Sequence, residues 1–277
     1  MNSLAIRPVR FTLPFLTELI ERQRSLALYG LASIALAAVA VAMQAIDPRV
    51  LESGVNVWVK PAKFLSSVGI FTLTAAWLFG YIRTERRRSR PMRATVGLIL
   101  LASTFELVWI IWQGSRGLES HFNEDTTFYA LMYALMGIFS VLLVATTLPL
   151  AWEIGRRPAA GLSGDFIAAL VIGLVLTFAL GGGFGIAIAA NGGHSVGAEA
   201  GAAPLFGWNR SGGDLRIAHF VGIHAEQAIP ILAAVAAGVG LTLRARWAVL
   251  IAGSLLWAGL AFALYAQAAA GRPLFPL

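Results

Sequence analysis

Ionisable residues inside long apolar stretches mark where chemistry can occur, because a charge in an apolar medium is expensive unless something pairs with it or uses it. Two stretches of this chain break their apolar pattern in that way. One begins Gly213-Asp214-Leu215-Arg216-Ile217-Ala218-His219-Phe220 and continues through His224, Glu226 and Gln227 to Pro230. On a continuous helix at about 100° per residue, with Arg216 at zero, Gln227 falls near 20°, His224 near 80°, His219 near 300° and Glu226 near 280°. These polar groups fill one arc of roughly 160°. Ile217, Ala218, Val221, Gly222, Ala225, Ala228, Ile229 and Leu232 make the other face. In the second stretch Glu106, Trp109, Gln113 and Arg116 form a single stripe at i, i+3, i+7 and i+10. It leads directly into Gly117-Leu118-Glu119-Ser120-His121-Phe122-Asn123.

Carboxylates and imidazoles at such positions relay protons, which assigns proton handling to Glu106, His219, His224 and Glu226. Gln113, Arg116, Arg216, Gln227 and Trp109 are candidate ligand-binding groups, with the two guanidinium groups suited to a carboxylate or phosphate. The expectation is a polar pocket open to the outer side, lined by both stripes, that binds and translocates a small polar or anionic solute with proton coupling. An alternative is a membrane-embedded enzyme. His121, His219 and His224 with Glu106 or Glu226 amount to a divalent-metal donor set. Against it, His219 and His224 are five apart, about 140° around a continuous helix. Haem ligation needs two opposed axial groups, so one of these histidines would have to be matched by His121 or His194. A third alternative is a structural or accessory subunit, in which Glu106 and Glu226 simply pair with Arg116, Arg216 or a histidine. Gly181, Gly182, Gly183 and Gly185 either unwind their helix to let a ligand approach or serve close packing. Lys60 and Lys63 read as snorkelling residues, and Trp58, Trp109, Trp112, Trp208 and Trp247 as an aromatic belt.

The elements that must position these residues are membrane spans. Of 277 residues, 58% are hydrophobic and only 13% charged, against roughly 25% charged in a soluble domain. Seven stretches near 26–46, 64–82, 94–113, 128–152, 165–190, 215–241 and 247–269 are long and apolar enough to cross hydrocarbon. The expected fold is therefore all-α, a bundle of seven transmembrane helices over 26–277, preceded by an amphipathic cytoplasmic segment, 1–25, rather than a signal peptide. Arg7, Arg10, Arg22 and Arg24, then Arg83 to Arg93, then Arg156 and Arg157, then Arg244 and Arg246 fall on alternate connections. The positive-inside rule puts these in the cytoplasm, with the N-terminus inside and the C-terminus outside. The Ala-, Gly- and Arg-rich usage points to a bacterial inner membrane. The partners are then the bilayer and a small solute, and a homo-oligomer is compatible with the sequence. The net charge of +7 is topological, since no loop offers the basic, aromatic-bearing surface of a nucleic-acid binder. The chain has no cysteine, which removes disulfides, thiolate metal sites and cysteine nucleophiles. A retinal Schiff base is excluded because the only lysines are Lys60 and Lys63.

Overall fold

The computed structural model describes residues 13–51, 54–201, 203 and 207–276. Residues 1–12 of the amphipathic N-terminal segment, with Arg7, Arg10 and Phe11, lie outside them. The described chain is mostly helical and divides into two compact units, one ending at Thr146 and the other beginning at Thr147. Six helical segments are long and apolar enough to cross a membrane, or seven if one bent pair counts as a single span. The chain is thus a multi-pass, all-α membrane protein. Its exposed surface agrees: Ile251, Leu255, Leu256 and Phe262 on the last helix all face outward, which suits lipid tails and not water.

The first unit starts with α1 (Leu13–Arg22), a short amphipathic helix beside α2 (Arg24–Ile46) and α3 (Val59–Phe79). Arg22 anchors it by donating to the Trp77 carbonyl at 2.6 Å and lying over the Tyr81 ring. Gln23 caps α2, accepting from the amides of Ser25 and Leu26. α2 and α3 approach closely where glycines face each other, since a Cβ on Gly30 would sit 3.0 Å from the Gly69 carbonyl oxygen. Their connection is fastened at Asp47. Its carboxylate takes both Arg49 and the Trp58 indole, and these bonds, Arg49 first, hold it well below the usual carboxylate range. Arg49 also donates to the Ser115 carbonyl at the end of α4 (Arg90–Ser115). α5 (Thr127–Ala145), capped by Thr126, completes this unit.

The second unit contains α6 (Thr147–Arg156), α7 (Gly164–Leu176), a π-helical turn (Thr177–Gly182), α8 (Gly183–Ala190), the two-residue strands β1 (Ser195–Val196) and β2 (Gly213–Asp214), α9 (Arg216–Ile223), α10 (Ala225–Gly238) and α11 (Leu243–Ala269). The strands pair antiparallel, Ser195 opposite Asp214. Near its arginine-rich end, buried Asp165 accepts from Arg246 Nε at 2.7 Å.

Two of the expected stretches keep their span length but depart from a regular helix. The stretch 215–241 is not one helix: α9 and α10 meet at His224 with a bend of 50°. His224 itself has φ −90° and ψ 4°, outside the helical register, so the continuous-helix angles do not apply past it. The stretch 165–190 stays one helical segment, Gly164–Ala190, but loses its regular α-helical register at the π-helical turn, which contains Gly181 and Gly182. The two interruptions face each other. A Cβ on Gly222 would lie 2.7 Å from the Gly181 amide nitrogen, and one on Gly173 would lie 2.9 Å from the Ala225 carbonyl oxygen. Backbones pressed together this tightly admit only glycine.

Replacing Gly222 by alanine should therefore destabilise the protein by about 1–3 kcal/mol, because the new methyl meets backbone that has no room to yield. Gly183, where an added Cβ meets nothing within 4 Å, should accept alanine without loss. Thermal unfolding of the two variants beside the wild type checks the contrast, and equal midpoints would remove the close-packing account.

Candidate functional site

Among the described residues, three glutamates are buried within span-length helical segments. Glu153 on α6 accepts from Arg157 at 3.1 Å, whereas Glu106 in the first unit and Glu226 in the second are held by neutral partners. In the first unit, Glu106 on α4 is 2% exposed. Its Oε1 accepts from Ser140 Oγ of α5 at 3.0 Å, whereas its Oε2 has no hydrogen-bond partner among the described residues. The same holds for Gln113 Oε1 and Ser103 Oγ, both buried on α4. The stripe read from the sequence is thus an inward-facing face of α4, with Glu106, Trp109 and Gln113 all buried.

That face also pins the following loop. Trp109 Nε1 donates to the Ser120 carbonyl at 3.0 Å, and Gln113 Nε2 donates to the Glu119 carbonyl at 3.2 Å. The loop turns through Gly117 at φ 73° and Phe122 at φ 58°. For a bulky residue such as Phe122 this conformation costs energy and persists only where surrounding contacts impose it. One such contact is the Tyr133 ring, centred 5.0 Å away. The turn brings His121 against Phe64 of α3 at 5.6 Å between ring centres, with its Nδ1 3.2 Å from Ser120 Oγ. Burial, helped by the nearby Lys60 charge, pushes the His121 imidazole well below its ordinary value. Lys60 Nζ lies 3.8 Å from Glu119 Oε2, and its charge also reaches Glu106. Arg116 is exposed at the end of α4, with its guanidinium over the Trp112 ring.

In the second unit the polar groups gather at the two helix interruptions. Thr177, the first residue of the π-helical turn, accepts from the Glu226 amide at 2.9 Å and donates to the Ile223 carbonyl at 3.4 Å. One hydroxyl therefore serves backbone groups on both sides of the break at His224. His219 Nδ1 is 2.8 Å from the Gly181 carbonyl oxygen. A carbonyl only accepts, so Nδ1 carries the proton and Nε2 is the acceptor nitrogen of the neutral ring. Glu226 is 2% exposed, and its Oε1 accepts from Gln227 Nε2 at 2.9 Å. Gln227 Oε1 in turn lies 3.2 Å from His224 Nδ1, which makes that nitrogen a donor too. Glu226, Gln227 and His224 thus form one hydrogen-bonded chain at the bend. α9 is unbroken from Arg216 to Ile223, and the His224 amide still bonds back to the Phe220 carbonyl, so the bend does not by itself bring His219 and His224 to one point.

Arg216 is held by its neighbours. It grips Asp214 through two bonds, Nε to Oδ1 at 2.9 Å and Nη2 to Oδ2 at 2.6 Å, and also donates to the Gly207 carbonyl. Burial alone would raise Asp214, but the Arg216 bonds outweigh it and hold the carboxyl below its usual range. Neither glutamate takes Arg116 or Arg216 as a hydrogen-bond partner; they take Ser140 and Gln227. Among the described residues no group of three His, Cys, Asp or Glu side chains could hold a metal ion.

Sequence reasoning missed Ser103, Ser140, Thr177 and Asp214. The first three are small hydroxyl residues in otherwise apolar runs. That was the available signal, weak because such hydroxyls commonly bond back to their own helix, as Thr72 does here with the Val68 carbonyl. No family model, curated protein or solved structure matches the chain.

Two outcomes follow. The unfolded chain binds a proton at His121 more readily than the folded one. That histidine's contribution is therefore present above about pH 6.5 and is lost as pH falls through the ordinary histidine range. A pH series of unfolding midpoints should slope downward there, and His121→Phe should flatten the slope; an unchanged slope would contradict the burial account. Thr177→Val keeps the shape and removes both bonds. It should speed hydrogen exchange at the Glu226 amide at least about tenfold, corresponding to loss of a bond worth about 1.4 kcal/mol.

Proposed function

We propose that this protein lies in a bacterial inner membrane, N-terminus inside and C-terminus outside, and binds and moves a small polar solute with proton coupling. The observation that carries the reading is the pair of buried glutamates, Glu106 and Glu226, each hydrogen-bonded through Oε1 to a neutral side chain. A carboxyl held in this way can take or release a proton without breaking an ion pair, and an ionisable group kept within a membrane span is a functional candidate by default. The interrupted helices of the second unit support it. Broken helices at membrane depth occur in transporters where backbone groups line a solute or ion site. In this reading Glu106 and Glu226 exchange protons and His224, fixed by Gln227, orients the second exchange. His219 offers its Nε2 as a further acceptor. Gln113 and Trp109 hold the loop that closes the first unit, and Arg116 is the group best placed to meet an anionic part of a solute.

The proton half is tested on vesicles containing the purified protein and a trapped pH-sensitive dye, to which gradients of small amino, hydroxy and carboxylic solutes are applied one at a time. At least one solute should drive a change in internal pH. Glu106→Gln and Glu226→Gln should each reduce it about a hundredfold while still reaching the membrane; unaltered rates in both variants would sink the proposal. Orientation is tested separately, using the absence of native cysteine. A membrane-impermeant maleimide should label Ala198→Cys in intact cells and Arg88→Cys only after the membrane is opened; the reverse pattern would invert the topology.

A further inference from the structure

Glu106 accepts a hydrogen bond from a neutral hydroxyl, and its second oxygen has no hydrogen-bond partner among the described residues. Glu106 is the only acidic residue within α2 to α5. Lys60, whose charge reaches it, lies 3.8 Å from Glu119 at the loop end, so that cation has an acidic neighbour of its own. An ionised Glu106 therefore has no hydrogen-bonded cation among the described residues, a costly state in an apolar medium. Neutrality comes either from a proton on the carboxyl or from a bound ion of charge +1.

The surrounding atoms offer ligands for such an ion. Two buried oxygens of α4, Glu106 Oε2 and Ser103 Oγ, lack any partner among the described residues, and a cation would take both. Ser103 precedes Glu106 by three residues, which places it on the same face of α4 about 4.5 Å away along the axis. Ser140 Oγ, 3.0 Å from Oε1, adds a third oxygen from α5 and keeps lone pairs after donating its proton. A carboxylate with two hydroxyls is an all-oxygen set of the kind hard cations take, and nitrogen or sulfur ligands are not needed for it. One carboxylate matches one positive charge. A divalent ion would only reverse the imbalance.

We propose that Glu106, Ser103 and Ser140 form a binding site for an alkali-metal cation that competes with the Glu106 proton. The inference rests on the proton-coupled reading above and names the ion that takes the proton's place. Cation binding then shuts proton exchange at Glu106, and protonation expels the cation.

The test uses purified full-length protein in lipid nanodiscs at pH 8. Choline chloride is replaced in steps by lithium, sodium or potassium chloride at constant ionic strength. At least one alkali salt should raise the unfolding midpoint by about 5 °C in a saturable manner, as expected for a ligand well above its dissociation constant. The half-saturating concentration should rise about tenfold for each pH unit of acidification over the range where the proton competes. Which salt acts identifies the ion. Glu106→Gln should abolish the shift. Ser103→Ala keeps the carboxylate and should raise the half-saturating concentration about tenfold, so the site stays testable if the glutamine variant folds poorly. Glu226→Gln, in the other unit, should keep the full shift. Equal midpoints in choline and all three alkali salts would overturn the proposal, as would an undiminished shift in Glu106→Gln. A cation-dependent shift without solute-driven proton movement would leave this site standing and remove the transport reading. Solute-driven proton movement with no response to any alkali ion would do the reverse.

Discussion

Polar groups taken out of water must find partners inside the protein, and in a chain this apolar the rule governs nearly every feature. A continuous helix satisfies its own backbone. Where helices are interrupted, carbonyls and amides are released and something must take them up. Thr177, His219 and the glycines of the second unit answer that requirement. The π-helical turn and the break at His224 stand opposite each other because each supplies what the other releases. Gly181 offers a carbonyl to His219, and Thr177 exchanges bonds with the Ile223 carbonyl and the Glu226 amide.

The same rule separates charges that build from charges that act. Asp214 with Arg216, Asp47 with Arg49 and Asp165 with Arg246 are paired, each arginine donating directly to its carboxylate. They fasten connections and the ends of helices, where pairing fixes geometry. Glu106 and Glu226 differ, because their hydrogen-bond partners are an alcohol and an amide. Such partners orient a carboxyl without fixing its charge state. In the proposed reading, that is what suits Glu106 and Glu226 to exchange protons.

Much of this was legible in the sequence, and the reasons are physical. Span-length apolar runs show in composition because every residue of a membrane helix meets an apolar neighbour. Glu106, His219, His224 and Glu226 stood out because an ionisable residue in such a run is rare. Helix continuity was not legible. Nothing in Val221-Gly222-Ile223-His224-Ala225 announces a 50° bend. The residue that permits it, Thr177, lies 46 positions from Ile223, and its role exists only once the two segments are packed. The Arg216 pairing is hidden for a related reason. Its spacing fits the polar arc, but Asp214, two residues earlier, reaches it through a side-chain geometry that periodicity does not encode.

Under the proposed function, the arrangement also bears on how a proton-handling site can be built without cation pairs. A buried ion pair locks a carboxylate in its charged form, and breaking it costs several kcal/mol. A serine or glutamine partner contributes about 1 kcal/mol and tolerates either protonation state. The cost moves to the surroundings, which must keep water out and hold the carboxyl in place. Around Glu106 this falls to Ile110 and Met136, both almost fully buried, and to the loop pinned by Trp109 and Gln113. Around Glu226 it falls to the glycine contacts that press α7 against the bend. Substitutions in these supports, far from any titrating atom, should therefore act on proton handling as strongly as changes to the glutamates' own hydrogen-bond partners.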